Sequence, residues 1–323
     1  MSSMQTDTTD SNEGFNEPCE RYAVIIANPI SGFLLHNTHR VHETLAFLRK
    51  HGWRAELWFT HGPGDGQSLA RKAIEQNAAM VIAAGGDGTI NDIIQALAGS
   101  ETALGVLPTG TVNVWAREMG IPLDNARARE VLPHGQTRRV DLGCVNGRYF
   151  LLMVGIGLDG EVTQAVERKP LKRLGILGYV LAALWFGPGY AGFPVIVRHK
   201  DYVVKTRAVQ IFIGNTQLYG GALTFTWQAK CDDGQLDLCI VRKRNLPGRI
   251  VVLGDFILRR EQRRIWVRYD QFTSITIETP HPIAFQVDGD PGGHTPATFS
   301  VVPGALKVVV PQKRPAGLFS EDL

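Results

Sequence analysis

The chain has 323 residues, of which 44% are hydrophobic and 20% charged, and this composition is typical of a soluble globular protein with room for two domains. Its formal net charge is +3, but residues 1–20 hold acidic and no basic side chains, so the rest of the chain is more basic than the total indicates. A basic body favours anionic partners such as nucleotides or an acidic membrane surface. No nucleic-acid partner is expected.

The acidic segment 1–20 is predicted to be a disordered tail. It lacks the basic start and apolar stretch of a secretory signal. The four cysteines follow neither a metal-binding nor a disulfide pattern, which predicts free thiols in a reducing compartment.

Residues 21–137 alternate between short apolar runs and helical patterns. Strands are predicted at 22–27, 53–60, 79–84 and 102–107, and helices at 37–50, 68–78 and from the turn after residue 84 to residue 97. Strands that alternate with helices predict an α/β domain with a parallel sheet.

From about residue 138 the pattern becomes rich in strands. Strands are predicted at 139–145, 148–154, 194–198, 202–214, 235–242, 274–279, 283–287, 298–302 and 305–310, and helical pattern is confined to 161–186 and 247–260. Residues 138–310 are therefore predicted to form an antiparallel β-sandwich-like domain, followed by a C-terminal tail at 311–323. The uncharged run 174–197 is long enough to cross a membrane, but glycines and prolines interrupt it repeatedly, so a membrane span is rejected.

One glycine-rich stretch carries the strongest functional signal. Gly85-Gly86-Asp87-Gly88-Thr89 follows an apolar strand, and a helix with Ile90, Asn91, Ile93 and Ile94 begins at once. A helix N-terminus attracts anions, and glycine lets the backbone approach phosphate oxygens closely. Because an acid does not itself attract phosphate, Asp87 predicts a bridging cation such as Mg²⁺.

Two further polar loops follow predicted strands: Asn28-Pro29-Ile30-Ser31-Gly32 and Pro108-Thr109-Gly110-Thr111-Val112-Asn113. Thr60 ends another strand. The carboxyl ends of parallel strands share one edge of the sheet, where ligands collect. We expect all these loops to lie together.

In this order, the motifs at 28–32, 85–91 and 108–113 resemble the nucleotide-binding motifs of the diacylglycerol kinase catalytic family, which includes bacterial lipid kinases, sphingosine kinases and ceramide kinases. NAD kinases share the middle loop, so that loop alone does not distinguish them. The resemblance continues in 155–160, 214–221, 233–238 and 286–291. It implies an α/β nucleotide-binding domain, a β-sandwich-like lipid-substrate domain, an active site in the cleft between them, and ATP and Mg²⁺ as cofactors.

The resemblance also assigns roles to residues. The implied nucleotide contacts are Asn28, Ser31, Gly32, Thr60, Gly85, Gly86, Asp87, Gly88, Thr89, Asn91, Gly110, Thr111 and Asn113. Asp288 ranks first as the catalytic base, and Asp290, which stands where the family has Glu, is kept as a base or metal partner. Asp233 resembles a structural Mg²⁺ ligand, together with the carbonyl groups of Lys230 and Gln235.

One position departs from the family pattern. Many members have an acid directly after the Asn of the third motif, whereas this chain has Val114. Val114 offers no side-chain group for a metal, a proton or a substrate hydroxyl. A different lipid preference is favoured, and a nucleotide-binding protein without kinase activity is the drastic alternative.

The leading hypothesis is an ATP- and Mg²⁺-dependent kinase that phosphorylates a diacylglycerol-like or sphingoid-like lipid hydroxyl. The alternatives are an NAD kinase and a non-catalytic nucleotide- or lipid-binding regulator. We expect a cytoplasmic protein that visits the inner membrane face through a basic region at 242–268, and a homodimer is left open. His36, His39 and His42 share a helical face, and a solvated face is favoured over a zinc site.

Overall fold

The computed structural model describes residues 21–29, 38–157, 160, 192–220, 223–242, 266–313, 315 and 317–321. Several predicted features lie outside these residues: the disordered tail at 1–20, the helices at 161–186 and 247–260, most of the basic region, and Ser31, Gly32 and His36.

Four parallel strands and five helices are present among the described residues of the N-terminal part. In chain order they are β1 (Arg21–Ala27), α1 (His39–Lys50), β2 (Trp53–Phe59), α2 (Asp65–Glu75), β3 (Met80–Gly85), α3 (Asp87–Leu97), β4 (Ala103–Pro108), α4 (Val114–Glu118) and α5 (Asn125–His134). The strand order is β2-β1-β3-β4, and all pairs are parallel. Strands β3 and β4 are buried along their whole length, which is why they read as continuous apolar runs.

The described residues of the C-terminal part form mainly antiparallel strands: β5 (Gln136–Val145), β6 (Arg148–Phe150), β7 (Met153–Gly157), β8 (Phe193–Arg198), β9 (Val203–Gly214), β10 (Leu218–Tyr219), β11 (Leu223–Thr224), β12 (Leu236–Arg242), β13 (Val267–Phe272), β14 (Ser274–Glu278), β15 (Ala284–Val287), β16 (Asp290–His294) and β17 (Ala297–Val310). The prediction of an α/β part followed by an antiparallel β part is confirmed.

Strand β17 joins the two parts. It pairs with β5 along most of its length and meets β4 in parallel register at Val308 and Leu104. Within the described residues a single sheet of 15 strands therefore runs from one part into the other. The predicted strands at 298–302 and 305–310 are this one strand, with a register shift between Val302 and Leu306.

Other elements differ from the prediction for identifiable reasons. The predicted strand 148–154 is interrupted at Leu151 and Leu152, where backbone N–H groups turn toward Asp288. Strands β10, β11, β13 and β16 were not predicted. The segment that forms β16 is rich in glycine and proline, and pairing with β15 makes it a strand.

Helices α4 and α5 were also missed. The first has only five residues, and the second is polar and contains Pro133 near its end. Across the ranges that the structure describes, no helix is long and apolar enough to cross a membrane.

Candidate active site

The four parallel strands end at one edge of the sheet, where the predicted polar loops begin. Backbone hydrogen bonds hold these loops in register: Asn28 donates to Ala84 (3.1 Å), Thr60 to Ala27 (3.0 Å) and Thr109 to Gly85 (3.0 Å). The carboxyl ends of β1, β2, β3 and β4 are therefore side by side, as their positions in the sequence indicate.

Glycine is present for different physical reasons at three positions of the loops after β3 and β4. A Cβ atom on Gly85 would lie 2.2 Å from Thr89 Oγ1, and one on Gly110 would lie 2.4 Å from Gly86 Cα. These contacts let Thr89 fold over its own loop and let the second and third motifs pack backbone to backbone. A Cβ on Gly88, in contrast, would meet no protein atom within 4 Å. Gly88 leaves open space at the start of α3.

Asp87 faces the third motif. Its two carboxylate oxygens accept hydrogen bonds from the backbone N–H groups of Val114 (3.0 Å) and Trp115 (3.1 Å). Burial raises the pKa of this carboxyl group, and the two backbone bonds oppose the rise. Asp87 thus fixes the first turn of α4 against the glycine loop. This is a structural reason for an acid at position 87, in addition to the predicted binding of a cation.

Asn113 holds the third motif internally. Its side-chain oxygen accepts from Gly110 N (3.0 Å), and its side-chain nitrogen donates to Gly110 O (2.8 Å). Its backbone is left-handed, with φ of 52°, which Asn tolerates better than most residues. Thr111, in the same loop, is exposed.

Asp288 is enclosed by donors from another part of the chain. Oδ1 accepts from the backbone N–H groups of Leu152 (3.0 Å) and Met153 (2.9 Å). Oδ2 accepts from Leu151 N (2.8 Å) and from the Asn91 side-chain nitrogen (2.8 Å). Burial raises the pKa of Asp288 to about 6, although all four hydrogen bonds favour the charged form. The carboxylate is already fully bonded.

Asp290 is placed differently. Its side chain is 50% exposed, and Oδ2 accepts from Arg148 Nη2 at 3.1 Å. The same Arg148 nitrogen donates to Asn91 Oδ1 at 2.9 Å. Asn91 therefore joins Asp288 on one side to Arg148 and Asp290 on the other.

Of these groups, Asn91, Arg148 and Asp290 line a cleft between the two parts of the chain, with a volume of about 810 Å³, and Asp288 is not among its lining residues. Its described lining residues are Asn28, Pro29, Thr60, His61, Gly62, Pro63, Gly64, Gln67, Gly88, Thr89, Asn91, Asp92, Gln95, Asn146, Gly147, Arg148 and Asp290. The predicted residues Asn28, Thr60, Gly88, Thr89, Asn91 and Asp290 therefore meet at this cleft. Gly85, Gly86, Asp87, Gly110 and Asn113 are not among its lining residues, and their contacts hold the loops of the sheet edge together.

Sequence reasoning did not single out Arg148. It follows the Asn146-Gly147 turn between β5 and β6, where both turn residues have positive φ (51° and 78°). That dipeptide between two strands is a strong hairpin signal, which places the next residue at the start of a strand. Nothing local shows that this strand faces α3.

The predicted structural Mg²⁺ site lies apart from the cleft. Asp233 Oδ1 accepts from Gln235 N at 2.9 Å, and the Lys230 ammonium donates to Phe319 O at 3.3 Å. Burial raises the pKa of Asp233, and the neighbouring Asp141 and Asp232 raise it further. This concentration of negative charge fits a hard cation, but the described residues contain no group of three His, Cys, Asp or Glu side chains arranged to hold a metal.

Two further predicted features, the histidine face of α1 and the basic region, lie outside the cleft lining where the structure describes them. His39 and His42 are exposed on α1. Arg268, one of the few described members of the basic region, pairs with Asp270 at 2.6 Å.

Comparison with known proteins agrees with this architecture. Residues 22–145 match the family model described as the diacylglycerol kinase catalytic domain, and residues 152–310 match the YegS C-terminal NAD kinase beta sandwich-like domain. A diacylglycerol kinase of Staphylococcus saprophyticus subsp. saprophyticus is 32% identical over 297 residues, which cover 90% of this chain and 95% of that protein.

Two crystal structures from Bacillus anthracis str. Sterne share the fold. One superposes with a TM-score of 0.76 at 25% identity and covers 91% of this chain and 98% of its own. The other, described as a diacylglycerol kinase, has a TM-score of 0.71 at 24% identity and covers 91% and 97%. The matching family models and the 32% identical relative place the chain in the lipid kinase class. The chain belongs to the diacylglycerol kinase family.

Proposed function

We propose that this protein transfers the terminal phosphoryl group of ATP to a free hydroxyl group of a lipid, in a Mg²⁺-dependent reaction. One observation carries the proposal: the cleft has the open N-terminal turn of α3 and the half-exposed carboxylate of Asp290 on its walls. A phosphate donor and a proton acceptor are the two groups that such a reaction must bring together.

The first turn of α3 suits the phosphates of the nucleotide. Gly88 and Thr89 line the cleft, and the space beside Gly88 accepts a ligand that a larger side chain would exclude. The dipole of the eleven-residue helix favours negative charge here. Asn28 and Thr60, on the neighbouring strand ends, would contact the rest of the nucleotide.

Asp290 is the better placed of the two predicted bases. The carboxylate of Asp288 already accepts four hydrogen bonds, so it has no oxygen site left for a substrate hydroxyl. One oxygen of Asp290 accepts a hydrogen bond from Arg148, and we propose that the other accepts the proton of the substrate hydroxyl in the cleft. We therefore assign proton removal to Asp290, and to Asp288 the positioning of Asn91. This reverses the order that the sequence favours.

Mg²⁺ is usually held by one or two carboxylates and by substrate phosphates, and it neutralises the charge of the phosphoryl group. Asp290 and Asp92 are the carboxylates on the cleft wall. Asp92 Oδ2 accepts from Gly66 N at 2.8 Å, which fixes its orientation. Because Asp290 is assigned to the substrate hydroxyl, we propose that Asp92, and not a cluster of protein ligands, would hold the ion that accompanies ATP. Asp87 stays a predicted ligand.

For the acceptor, the relative is named for diacylglycerol, so a diacylglycerol-like lipid is the first substrate to test. Val114 stands where many family members have an acid. It is buried, and its backbone N–H donates to Asp87. A substrate that does not need this acid, such as a sphingoid-like lipid, is the second. Either substrate would bring the enzyme to the inner membrane face from the cytoplasm.

The test gives purified protein labelled ATP, Mg²⁺ and, in turn, diacylglycerol, a sphingoid base, ceramide and NAD. Label in an organic-extractable product supports the proposal, and we expect Asp290→Asn to lower kcat about 10²–10⁴-fold. Asp201→Asn, which alters a 69%-exposed carboxylate outside the cleft lining, is the matched control and should retain activity. Label in NADP would instead identify an NAD kinase, and ATP binding without transfer would identify a regulator.

A further inference from the structure

Arg148 places a positive charge on the wall of the cleft. It is the only Lys or Arg among the described lining residues, which otherwise include the carboxylates of Asp92 and Asp290. Its side chain is 33% exposed, so the guanidinium is neither buried in the core nor free in solvent. A cleft that accepts a triphosphate needs positive charge, and this residue supplies it.

The position of Arg148 is fixed by the hairpin that carries it. Gln95 on α3 accepts from Tyr149 N at 3.0 Å and donates to Tyr149 O at 2.9 Å. This pair of bonds attaches β6 to the last turn of α3. The guanidinium itself donates to Asn91 Oδ1, Asp290 Oδ2 and Pro291 O. The group is therefore oriented before a ligand arrives.

The donor inventory of Arg148 leaves room for a ligand. A guanidinium has five N–H bonds, and three of them are used by Asn91, Asp290 and Pro291. Two remain without an acceptor among the described residues. A half-exposed ion pair with Asp290 contributes little to stability on its own, so holding Asp290 is a weak reason for this arrangement.

We propose that Arg148 binds the terminal phosphate of ATP and makes the cleft prefer a nucleoside triphosphate to a diphosphate. The inference rests on the proposed function in that ATP is taken as the phosphate donor. Asn91 lies three residues beyond Gly88, which is about one helical turn along the same face of α3. Inner phosphates over Gly88 and Thr89 would therefore direct the last phosphate toward Arg148, which binds Asn91.

The experiment compares the affinities of ADP and of a non-hydrolysable ATP analogue in the presence of Mg²⁺, by calorimetry. Wild type should bind the analogue more tightly. In Arg148→Gln the affinity for the analogue should fall about tenfold or more, as expected for a lost charge-assisted hydrogen bond, while ADP affinity changes less than about threefold. Arg198→Gln, which removes an exposed arginine paired with Glu278, should change neither affinity.

Equal weakening of both nucleotides in Arg148→Gln would show a merely structural role and overturn the inference, as would no change in either. If Arg148→Gln does not fold, Arg148→Lys keeps the charge but loses the planar fork, and it should still weaken the analogue more than ADP. The readout does not depend on catalysis. If Arg148→Gln loses the preference for the triphosphate but wild type labels no lipid, the proposed function alone is refuted. If wild type labels a lipid but Arg148→Gln keeps the preference, this inference alone is refuted.

Discussion

The Asp288 carboxylate accepts a hydrogen bond of 2.8 Å from the side chain of Asn91, although the two residues are 197 positions apart. Asn91 lies on α3, the helix that follows the glycine loop, and Asp288 lies in the turn between β15 and β16. The bond therefore joins the two parts of the chain at the cleft. Three backbone donors hold Asp288 in place, so Asn91 is positioned through it.

This arrangement predicts different effects for the two neighbouring acids. Asp288→Asn replaces one oxygen by an NH₂ group that faces N–H donors, and it should lower the free energy of unfolding by about 1–3 kcal/mol. Asp290→Asn should leave that free energy unchanged within about 0.5 kcal/mol, because its side chain is half exposed. Urea denaturation of both variants and wild type measures this. Equal losses of stability in both variants would contradict the assigned roles.

The raised pKa of Asp288 predicts a pH dependence. The ordinary value is 3.8 and the value in the fold is about 6, so the fold favours the protonated form. This group's contribution to stability is complete below about pH 4 and is lost as the pH rises through about 6.

Because other groups titrate too, the stability difference between wild type and Asp288→Asn is the quantity to measure. It should become smaller between about pH 4 and pH 7, and the Asp288 carboxyl resonance should titrate near pH 6 by NMR. A gap that widens with pH would mean that the pKa is lowered, contrary to expectation.

Much of the fold follows from local sequence pattern, and the site does so only in part. Buried strands such as β3 are recognisable as apolar runs, and the polar loops begin at the predicted edge of the parallel sheet. The choice between Asp288 and Asp290 depends on the amides of residues 151–153, which no local pattern brings together with them. Arg148 was missed for the same reason, since its partners Asn91 and Asp290 lie on distant segments.

The glycines of the nucleotide loops should respond differently to the same added methyl group. Gly110→Ala would place a Cβ 2.4 Å from Gly86 Cα, and the backbone must move, so we expect a loss of stability of about 1–3 kcal/mol. Gly88→Ala meets no protein atom within 4 Å and should fold as stably as wild type. It should nevertheless weaken ATP binding, because the methyl group occupies the space proposed for the phosphates. Thermal unfolding and calorimetric ATP titration separate the two effects. Unchanged ATP affinity in Gly88→Ala would argue against phosphates at this turn.

Asp87 can be tested for its two roles at once. Asp87→Ala leaves the N–H groups of Val114 and Trp115 without their acceptor, and it should lower the free energy of unfolding by about 1–3 kcal/mol even without Mg²⁺. If Asp87 also binds the cation, the Mg²⁺ concentration that gives half-maximal activity should rise in the variant. A Mg²⁺ requirement that stays the same, with stability lowered, would leave only the role of holding α4. Stability equal to that of wild type would contradict the structural role.

The C-terminal tail predicted at 311–323 includes a segment that packs against the rest of the molecule. Phe319 is 1% exposed, and Cys231 N donates to the carbonyl oxygen of Leu318 at 2.9 Å. Ser320 N donates to Asp232 at 2.7 Å, beside the predicted Asp233 site. Phe319→Ala should therefore lower the free energy of unfolding by about 3–5 kcal/mol, as for other buried aromatic side chains. Lys313→Ala, an exposed position in the same tail, is the control and should change it by less than about 0.5 kcal/mol. If the two variants were equally stable, the packing of this tail segment would not stabilise the fold. The loop that carries Asp233 would then be held by other contacts, such as the hydrogen bond from Gly234 N to Asp141.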